Sequence, residues 1–195
     1  MLYTQRFAKQ GTDLCRTEMA EAHVLRKAEM RRIGEQALDK LSHIDAQNRP
    51  TMVDVSDKRA TDRTALARTR VRLPDEIAAH ISGDEISTKK GPVFATAIIA
   101  GVMAAKKTHE LIPFCHPLGL SNCKVTIELR DNDVVIDCLC KVHHKTGVEM
   151  EALTGASVAA LTVYDMLKAM SHDIVISETK LLSKTGGKKD FQRDE

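Results

Sequence analysis

Alternating apolar and polar positions predict β-strands in three segments of the chain. Over residues 64–73, small and apolar side chains face one side of the predicted strand and mostly arginines face the other, which makes its outer face basic. The same alternation covers residues 123–129 and 134–142. Asp131-Asn-Asp133, which lies between them, has the composition of a hairpin turn, so these two strands are predicted to be neighbours in an antiparallel sheet.

Three helices are predicted between the strands. A short helix over residues 74–83 opens with a proline and two acidic residues, which suit a first helical turn, and ends at a glycine. A longer helix covers residues 91–109, and an alanine-rich helix covers residues 149–170. Two prolines make the loop at residues 111–118 rigid.

The order of these elements is typical of one α+β fold. A last strand, predicted over residues 174–182, completes the ferredoxin-like pattern β-α-β-β-α-β, an antiparallel sheet with helices on one face. Residues 12–41 have the periodicity of a charged amphipathic helix, either an arm that lies on a neighbouring subunit or an extension without a role. We therefore predict an N-terminal helical extension, residues 1–41, and one domain, residues 42–195, with a mobile tail from Lys184.

Composition narrows the possible functions. Hydrophobic residues make up 43% of the 195 residues, enough for a core, but aromatic residues make up only 3%, which excludes a surface that stacks nucleic-acid bases. A formal net charge of +2 excludes a general coating of DNA or of an anionic membrane. We expect neither a membrane span nor a secretory leader, and we interpret the five cysteines as reduced thiols of a cytoplasmic protein.

Charged groups at the two ends of the alanine-rich helix are candidates for catalysis. Glu149 and Glu151 occupy its first turn, where acidic residues also serve simply to complement the helix dipole. Asp165 shares a helical stripe with Glu151, and Lys168 follows one turn later. Such a carboxylate–lysine pair is commonly a surface ion pair, but in a half-buried setting it can act as a general acid and a general base.

A histidine and two lysines are further candidates for the site. His116 lies beside Cys115 in the proline-bracketed loop, where a structural and a catalytic role are both open. Lys89-Lys90-Gly91 precedes a helix N-terminus, where ammonium and backbone N–H groups can together hold a phosphate. An ordinary solvated surface also explains the two lysines.

The cysteines raise the question of a zinc site. Cys115, Cys123, Cys138 and Cys140, with His116, could supply ligands, but the sequence contains neither a C-x₂-C nor an H-x₃-H pair. The last three of these cysteines fall on the apolar faces of predicted strands, where thiols pack as small core residues. We therefore predict no stoichiometric zinc and assign no metal ligands.

Several longer stretches of the chain resemble a known family. They are Met52-Val-Asp-Val-Ser-Asp-Lys58, Lys90-Gly91, Ala100-Gly101 with Ala104-Ala-Lys106, Leu111-Ile-Pro-Phe-Cys-His-Pro-Leu118, Lys145-Thr-Gly-Val-Glu-Met-Glu-Ala-Leu-Thr154, Ala160-Leu-Thr-Val-Tyr-Asp-Met166 and Lys184-Thr-Gly-Gly-Lys188. On these motifs the chain resembles the cyclic pyranopterin monophosphate synthase family, the C proteins of molybdenum-cofactor biosynthesis, from about Leu41 to Phe191. It departs from the family pattern in the N-terminal arm, at Phe114, where leucine is usual, and at His143-His144.

The resemblance implies a reaction and an assembly. The reaction is that of a lyase, which rearranges a cyclic dihydroguanosine triphosphate to cyclic pyranopterin monophosphate with loss of diphosphate. The assembly is a homohexamer, a trimer of dimers of ferredoxin-like subunits. No cofactor is implied beyond Mg²⁺ that can accompany the triphosphate, and the partners are the nucleotide-derived substrate and further copies of the chain, with no nucleic acid and no membrane.

Motif matches also imply roles for residues of this sequence. Asp165 and Lys168 would be the acid/base pair, and Lys90 and His116 would hold and polarise the substrate. The other residues that would contact the substrate or line its site are Phe114, Cys115, Glu149, Met150, Glu151, Asp54 and Lys58. These residue types suit the chemistry, because ring opening and closure need a proton donor and acceptor, and departure of diphosphate needs cations.

The spacing along the alanine-rich helix has a consequence for the assembly. Glu151 and Asp165 are fourteen residues apart, about 21 Å on one continuous helix, whereas reacting groups must lie within a few ångströms of one another. If both serve one chemical centre, one of them must come from a neighbouring chain. The alternative to an enzyme is a non-catalytic oligomeric nucleotide-binding protein, in which the same charges only hold a ligand.

Overall fold

The computed structural model of the chain describes residues 47, 49–81 and 85–193. The chain divides into two units, Met1–Thr51 and Met52–Glu195, and the fold described below is that of the second. The helix predicted over residues 12–41, the domain boundary predicted after residue 41 and the predicted end of the short helix at Gly83 lie outside the described residues.

The described part of the second unit contains seven strands and four helices. In chain order the strands are β1 (Thr61–Arg72), β2 (Ser87–Thr88), β3 (Gly91–Pro92), β4 (Asn122–Arg130), β5 (Asp133–His144), β6 (Val175–Thr185) and β7 (Phe191–Gln192). The helices are α1 (Asp75–Ala78), α2 (Val93–Lys106), α3 (Thr108–Leu111) and α4 (Glu149–Leu167). None of the helices in the described part of the chain is long and apolar enough to cross a lipid bilayer.

Five strands form one antiparallel sheet in the order β4-β5-β1-β6-β7. β1 is the central strand and pairs with β5 from Thr61↔His144 to Arg72↔Asp133. Its register with β6 shifts twice, which is how bulges increase the local twist of a sheet. β2 and β3 form a separate two-stranded sheet that ends where α2 begins.

The core lies between this sheet and the two long helices. α2 and α4 pack against each other, and α4 also contacts β1, β5 and β6, while α2 contacts β4. Small side chains on the inner face of β1 are fully buried there, among them Ala65, Ala67 and Val71. The helices approach closely, since a Cβ atom added at Gly101 would lie 2.9 Å from the backbone oxygen of Gly155. The fold is therefore α+β, with an antiparallel sheet and helices, as the sequence predicts.

The outer face of the sheet is not the basic surface that alternation in β1 suggests. Arg68 donates two hydrogen bonds to the carboxylate of Asp137, at 2.7 and 2.8 Å, and is almost fully buried. Arg70 pairs with Glu178 at 2.9 Å, and Arg72 pairs with Asp133. The prediction of a basic outer face is wrong, because the neighbouring strands β5 and β6 supply carboxylates opposite the arginines of β1.

Element boundaries differ from the prediction at several places. α1 ends at Ala78 and α4 ends at Leu167, each before its predicted end. The helix predicted over residues 91–109 is interrupted at Lys107 and continues as α3. The mobile tail predicted from Lys184 is wrong at its start, because Lys184 and Thr185 belong to β6 and the chain returns to pair with that strand as β7. In the hairpin between β4 and β5, Asp131 has a φ of 54°, a conformation that aspartate tolerates in tight turns.

Candidate active site

Asp165 lies between two ammonium groups at the C-terminal end of α4. The Nζ of Lys168 is 2.6 Å from one carboxylate oxygen, and the Nζ of Lys90 is 3.2 Å from the other. Lys90 also donates a hydrogen bond of 2.8 Å to the backbone oxygen of Asp165. Hydrogen bonds from Lys168 and then Lys90 hold the pKa of Asp165 below its usual value, and Asp165 in turn raises the pKa of Lys168.

Lys90 reaches this cluster because of the turn that carries it. It lies between β2 and β3, where its backbone N–H donates to the hydroxyl of Thr88. Gly91 follows with a φ of 112°, a conformation that L side chains rarely adopt, so glycine is required there. We call Lys90, Asp165 and Lys168 the Asp165 cluster; its side chains are all about half exposed and are open to a ligand.

A second group of charged residues lies at the N-terminal end of α4. Lys184 of β6 pairs with Glu149 at 2.8 Å. The Glu149 carboxylate folds back over Gly147, where a Cβ atom would displace it. Glu151 is only 4% exposed, and burial, with a further contribution from the negative charge of Glu149, raises its pKa to about 7.

The proline-bracketed loop lies beside this end of α4. Cys115 is half-buried, and burial together with the negative charge of Glu151 raises its pKa. Hydrogen bonds from the hydroxyl and the backbone N–H of Ser56 lower the pKa of Asp54. Smaller electrostatic contributions to the same shift come from Lys145 and His116, which places both side chains near Asp54.

Lys145 connects the segment before β1 to this region. Its Nζ donates a hydrogen bond of 2.7 Å to the backbone oxygen of Ser56, two residues after Asp54. Lys58 is exposed in the same turn, and Phe114 and Met150 are each 38% exposed. We call the ionisable residues Asp54, His116, Lys145, Glu149, Glu151 and Lys184 the Glu151 cluster.

The predicted site residues thus fall into two groups. Asp165, Lys168 and Lys90 form one cluster, while Glu149 and Glu151 belong to the other. The two clusters are separated by the length of α4, about 21 Å for the fourteen residues from Glu151 to Asp165. A single chain therefore does not bring all predicted catalytic and substrate-binding residues together.

The structure does not support a phosphate held by the backbone N–H groups at the start of α2. The backbone N–H groups of Phe94 and Ala95 donate to the carboxylate of Glu85, at 2.8 and 3.0 Å, and the N–H of Ile86 does so at 2.8 Å. Although partial burial opposes it, this set of hydrogen bonds lowers the pKa of Glu85. The helix N-terminus is already satisfied by a carboxylate, so a phosphate held near Lys90 would rely on the lysine side chains.

Sequence reasoning assigned no role to Lys145, Lys184 or Glu85. Both lysines begin Lys-Thr-Gly stretches that carry the family resemblance, and this repeated tripeptide was the available signal. Lys184 is 35 positions from Glu149, and only the pairing of β6 with β1 brings the two sides together. No pattern in the sequence marks Glu85 as the residue that caps α2.

The cysteines of β4 and β5 lie where the sequence predicts. Cys138 and Cys140 are fully buried and Cys123 is half-buried, as expected for core positions. Their three sulfur atoms also lie within 4.0 Å of one another, which sequence spacing does not reveal because Cys123 pairs with Cys140 across the hairpin. The absence of stoichiometric zinc stays a prediction.

Comparisons with known proteins agree with the motifs. A model of the MoaC family matches residues 52–187. The chain is 55% identical over 153 residues to the cyclic pyranopterin monophosphate synthase of Xanthomonas axonopodis pv. citri (strain 306), covering 78% of this chain and 93% of the relative.

Two relatives are longer proteins. The chain is 53% identical over 157 residues to a molybdenum cofactor biosynthesis bifunctional protein of Synechocystis sp., covering 45% of that protein. It is 48% identical over 168 residues to molybdenum cofactor biosynthesis protein 1 of Dictyostelium discoideum, covering 27% of it. The match to the family model spans the four long strands of the sheet, both long helices and both charged clusters. The chain belongs to the MoaC family.

Proposed function

We propose that this protein is a lyase of molybdenum-cofactor biosynthesis, which converts (8S)-3',8-cyclo-7,8-dihydroguanosine 5'-triphosphate to cyclic pyranopterin monophosphate and releases diphosphate. Family membership and a relative named cyclic pyranopterin monophosphate synthase at 55% identity support the proposal. The observation in the structure that carries it is the Asp165 cluster. A carboxylate in contact with two ammonium groups is suited to moving protons next to a phosphorylated ligand.

In the proposed reaction, Asp165 and Lys168 exchange the protons needed for ring opening and closure. Their opposed pKa shifts keep Asp165 ionised and Lys168 protonated until the substrate separates them. Lys90 holds Asp165 through its carboxylate and its backbone oxygen, and its half-exposed ammonium group can also contact a phosphate oxygen. The positive charge of the two lysines would stabilise the negative charge that develops on the departing diphosphate.

The Glu151 cluster is proposed to hold the base and sugar. A carboxyl whose pKa is raised to about 7 is protonated in about half of the molecules near neutral pH, so Glu151 can donate as well as accept a hydrogen bond. His116, Phe114, Cys115, Met150, Asp54 and Lys58 are proposed to line the same pocket. Lys184 holds Glu149 in place from β6.

One active site is proposed to form from the Asp165 cluster of one chain and the Glu151 cluster of another. The separation of about 21 Å along α4 requires this if both clusters act on one substrate. Two copies of α4 packed antiparallel about a two-fold axis would bring the clusters together twice. Exposed apolar residues on the long helices offer a surface for such packing, with Ile99 62%, Met103 51% and Leu161 57% exposed.

The remaining features of the proposal follow the family resemblance. The strand order β4-β5-β1-β6 with both long helices against the sheet supports a ferredoxin-like fold. We propose a hexamer, a trimer of dimers, and a cytoplasmic location, which the free thiols of Cys115, Cys123, Cys138 and Cys140 support. No cofactor is proposed, apart from Mg²⁺ bound to the triphosphate substrate.

A single-turnover assay distinguishes the enzyme from a non-catalytic nucleotide-binding protein. The purified protein is mixed with the cyclic triphosphate, and diphosphate and the pterin product are measured. We expect stoichiometric release of both from the wild type and a loss of several orders of magnitude for Asp165→Asn, which removes the proton acceptor. Binding of the triphosphate without diphosphate release would contradict the proposal.

A matched substitution controls for charge alone. Glu128 is an exposed carboxylate on β4, at a position that alternates with the core-facing Val125 and Ile127 and therefore lies on the opposite face of the sheet. Glu128→Gln should retain wild-type turnover. Asp165→Asn should unfold at the wild-type temperature, because the exposed ion pairs that it breaks contribute little to stability. Turnover of Asp165→Asn within a few-fold of wild type would show that Asp165 is only a surface group.

A further inference from the structure

Three cysteine sulfur atoms form a nearly equilateral triangle between the sheet and α4. The Sγ–Sγ distances are 4.0 Å for Cys123 and Cys138, 3.9 Å for Cys138 and Cys140, and 3.8 Å for Cys140 and Cys123. Cys138 and Cys140 alternate along β5, so both face the core, and Cys123 lies directly opposite Cys140 on β4. Strand pairing thus gathers three thiols from one hairpin.

The size of this triangle matches a metal site. The centre of a triangle with edges of about 3.9 Å lies about 2.3 Å from each corner, the length of a bond between a thiolate and a metal ion of zinc size. The three sulfur atoms can therefore bind one ion placed between them without moving. Three thiolates in a plane provide soft ligands only.

The surroundings of the triangle favour three ligands rather than four. Among the described residues, the group of metal-binding atoms that lie within 4.8 Å of one another contains these three sulfurs and no histidine or carboxylate. α4 has a glycine where it faces the cluster, since a Cβ atom at Gly155 would lie 2.6 Å from the Sγ of Cys138. The helix thus leaves space for the sulfur atom but supplies no ligand of its own.

Access and charge are also suitable. Cys138 and Cys140 are fully buried, whereas Cys123 is half-buried and gives the cluster a route to solvent. The ammonium group of Lys106 lies within electrostatic reach of the Cys123 sulfur. The ammonium group would also offset part of the negative charge of a thiolate site.

We infer that Cys123, Cys138 and Cys140 form a binding site for one soft, three-coordinate metal ion, with Cu(I) as the ion that fits best. Soft thiolate ligands select Cu(I), whereas structural zinc requires a fourth ligand that the cluster lacks. Each thiol that binds the ion releases its proton to solvent, and the oxidation state of copper does not change. The site uses none of the residues of the proposed active site, so it stands independently of the proposed function.

A competition experiment tests the site with Cu(I) itself as the probe. The reduced full-length protein, in a Cys15→Ser background that removes one further thiol, is titrated under argon with Cu(I) held by a chromophoric chelator. We expect one Cu(I) per chain to be withdrawn from the chelator, and X-ray absorption to show three sulfur neighbours at about 2.3 Å. If this protein, with Cys123, Cys138 and Cys140 intact, withdrew no copper from the chelator, the inference would be overturned.

Two cysteine variants make the result specific. Cys123→Ser alters the half-buried ligand and should weaken Cu(I) binding about 100-fold or more, because the loss of a direct ligand costs more than the loss of an outer-shell contact. Cys115→Ser removes a half-buried thiol of another loop and should bind copper like the wild type. Circular dichroism and thermal unfolding check that both variants are folded. Equal copper affinity of Cys123→Ser and the wild type would overturn the inference, as would one tightly retained zinc ion with a fourth, non-sulfur ligand.

Discussion

Glu151 is a carboxylate that the fold places out of contact with water. Because burial raises its pKa to about 7, the folded chain holds a proton that the unfolded chain has released between about pH 4.5 and 7. The free energy of unfolding should therefore fall as pH rises through this window, by up to about 3 kcal/mol. Asp54, Asp165, Glu85 and Glu178 have lowered pKa values and titrate below this window.

Urea unfolding at pH 5 and pH 8, at one protein concentration, checks this prediction. The wild type should lose stability between the two values, and Glu151→Gln, which stays neutral, should lose less by about 3 kcal/mol. Glu128→Gln changes an exposed carboxylate and should follow the wild type. If the free energy of unfolding changed equally with pH in the wild type and in Glu151→Gln, the Glu151 carboxyl would not be shielded from water.

The burial and the contacts of individual side chains could be predicted only in part from the sequence. Acidic residues in a first helical turn are usually exposed, and nothing in the spacing separates Glu149, which pairs with Lys184, from Glu151, which is buried. The contact of Asp165 with Lys168 follows from helical spacing, so it was predictable. Its contact with Lys90 depends on a turn 75 positions away and was not predicted, because the resemblance implied only that Lys90 holds the substrate.

At the scale of elements, the crossing of α2 and α4 depends on glycine. Gly101→Ala would place a methyl group 2.9 Å from the backbone oxygen of Gly155 and 3.2 Å from the Cβ of Ala159. Alanine favours a helix over glycine by about 1 kcal/mol, but the helices must separate to relieve the clash. We expect a net loss of about 1–3 kcal/mol in the free energy of unfolding.

Chemical denaturation of Gly101→Ala measures this effect. Gly119→Ala is the matched control, because a Cβ atom there would meet no atom within 4 Å and its backbone does not require glycine. That variant should match the wild type within about 0.5 kcal/mol. Equal free energies of unfolding for Gly101→Ala and Gly119→Ala would show that α2 and α4 do not lie as close together as described.

Glu85 caps α2 from outside the helix. Glu85→Ala leaves the backbone N–H groups of Phe94 and Ala95 without their carboxylate partner, so we expect a loss of about 1–2 kcal/mol. Thermal unfolding of Glu85→Ala and of Glu76→Ala, an exposed carboxylate in α1, checks the prediction. Equal melting temperatures for the two variants would show that the cap contributes nothing.

Most elements follow from sequence pattern because their physical causes are local. Alternation located β1, β4 and β5 to within a few residues, since each strand has one buried and one outer face. The end of β6 and the whole of β7 were missed because pairing with other strands stabilises them, not their own hydrophobic pattern. The carboxylates that neutralise the arginines of β1 also come from other strands.

At the scale of the whole molecule, we propose that the exposed apolar residues of the long helices contact another copy of the chain. Contiguous apolar patches on isolated proteins are usually small, and Ile99, Met103 and Leu161 are each more than half exposed. We expect light scattering to give the mass of six 21.6 kDa chains for the wild type. Leu161→Glu should reduce the mass and abolish diphosphate release while each chain remains folded. A monomeric and fully active Leu161→Glu variant would contradict shared sites.

The central claim is that one active site combines the Asp165 cluster of one chain with the Glu151 cluster of another. Glu151→Ala and Asp165→Ala homomers are each expected to be inactive. When the two are dissociated, mixed and reassembled, each mixed pair holds one doubly defective site and one intact site, so about a quarter of wild-type diphosphate release should return. No recovery, after mass spectrometry has confirmed that the chains have exchanged, would contradict the account.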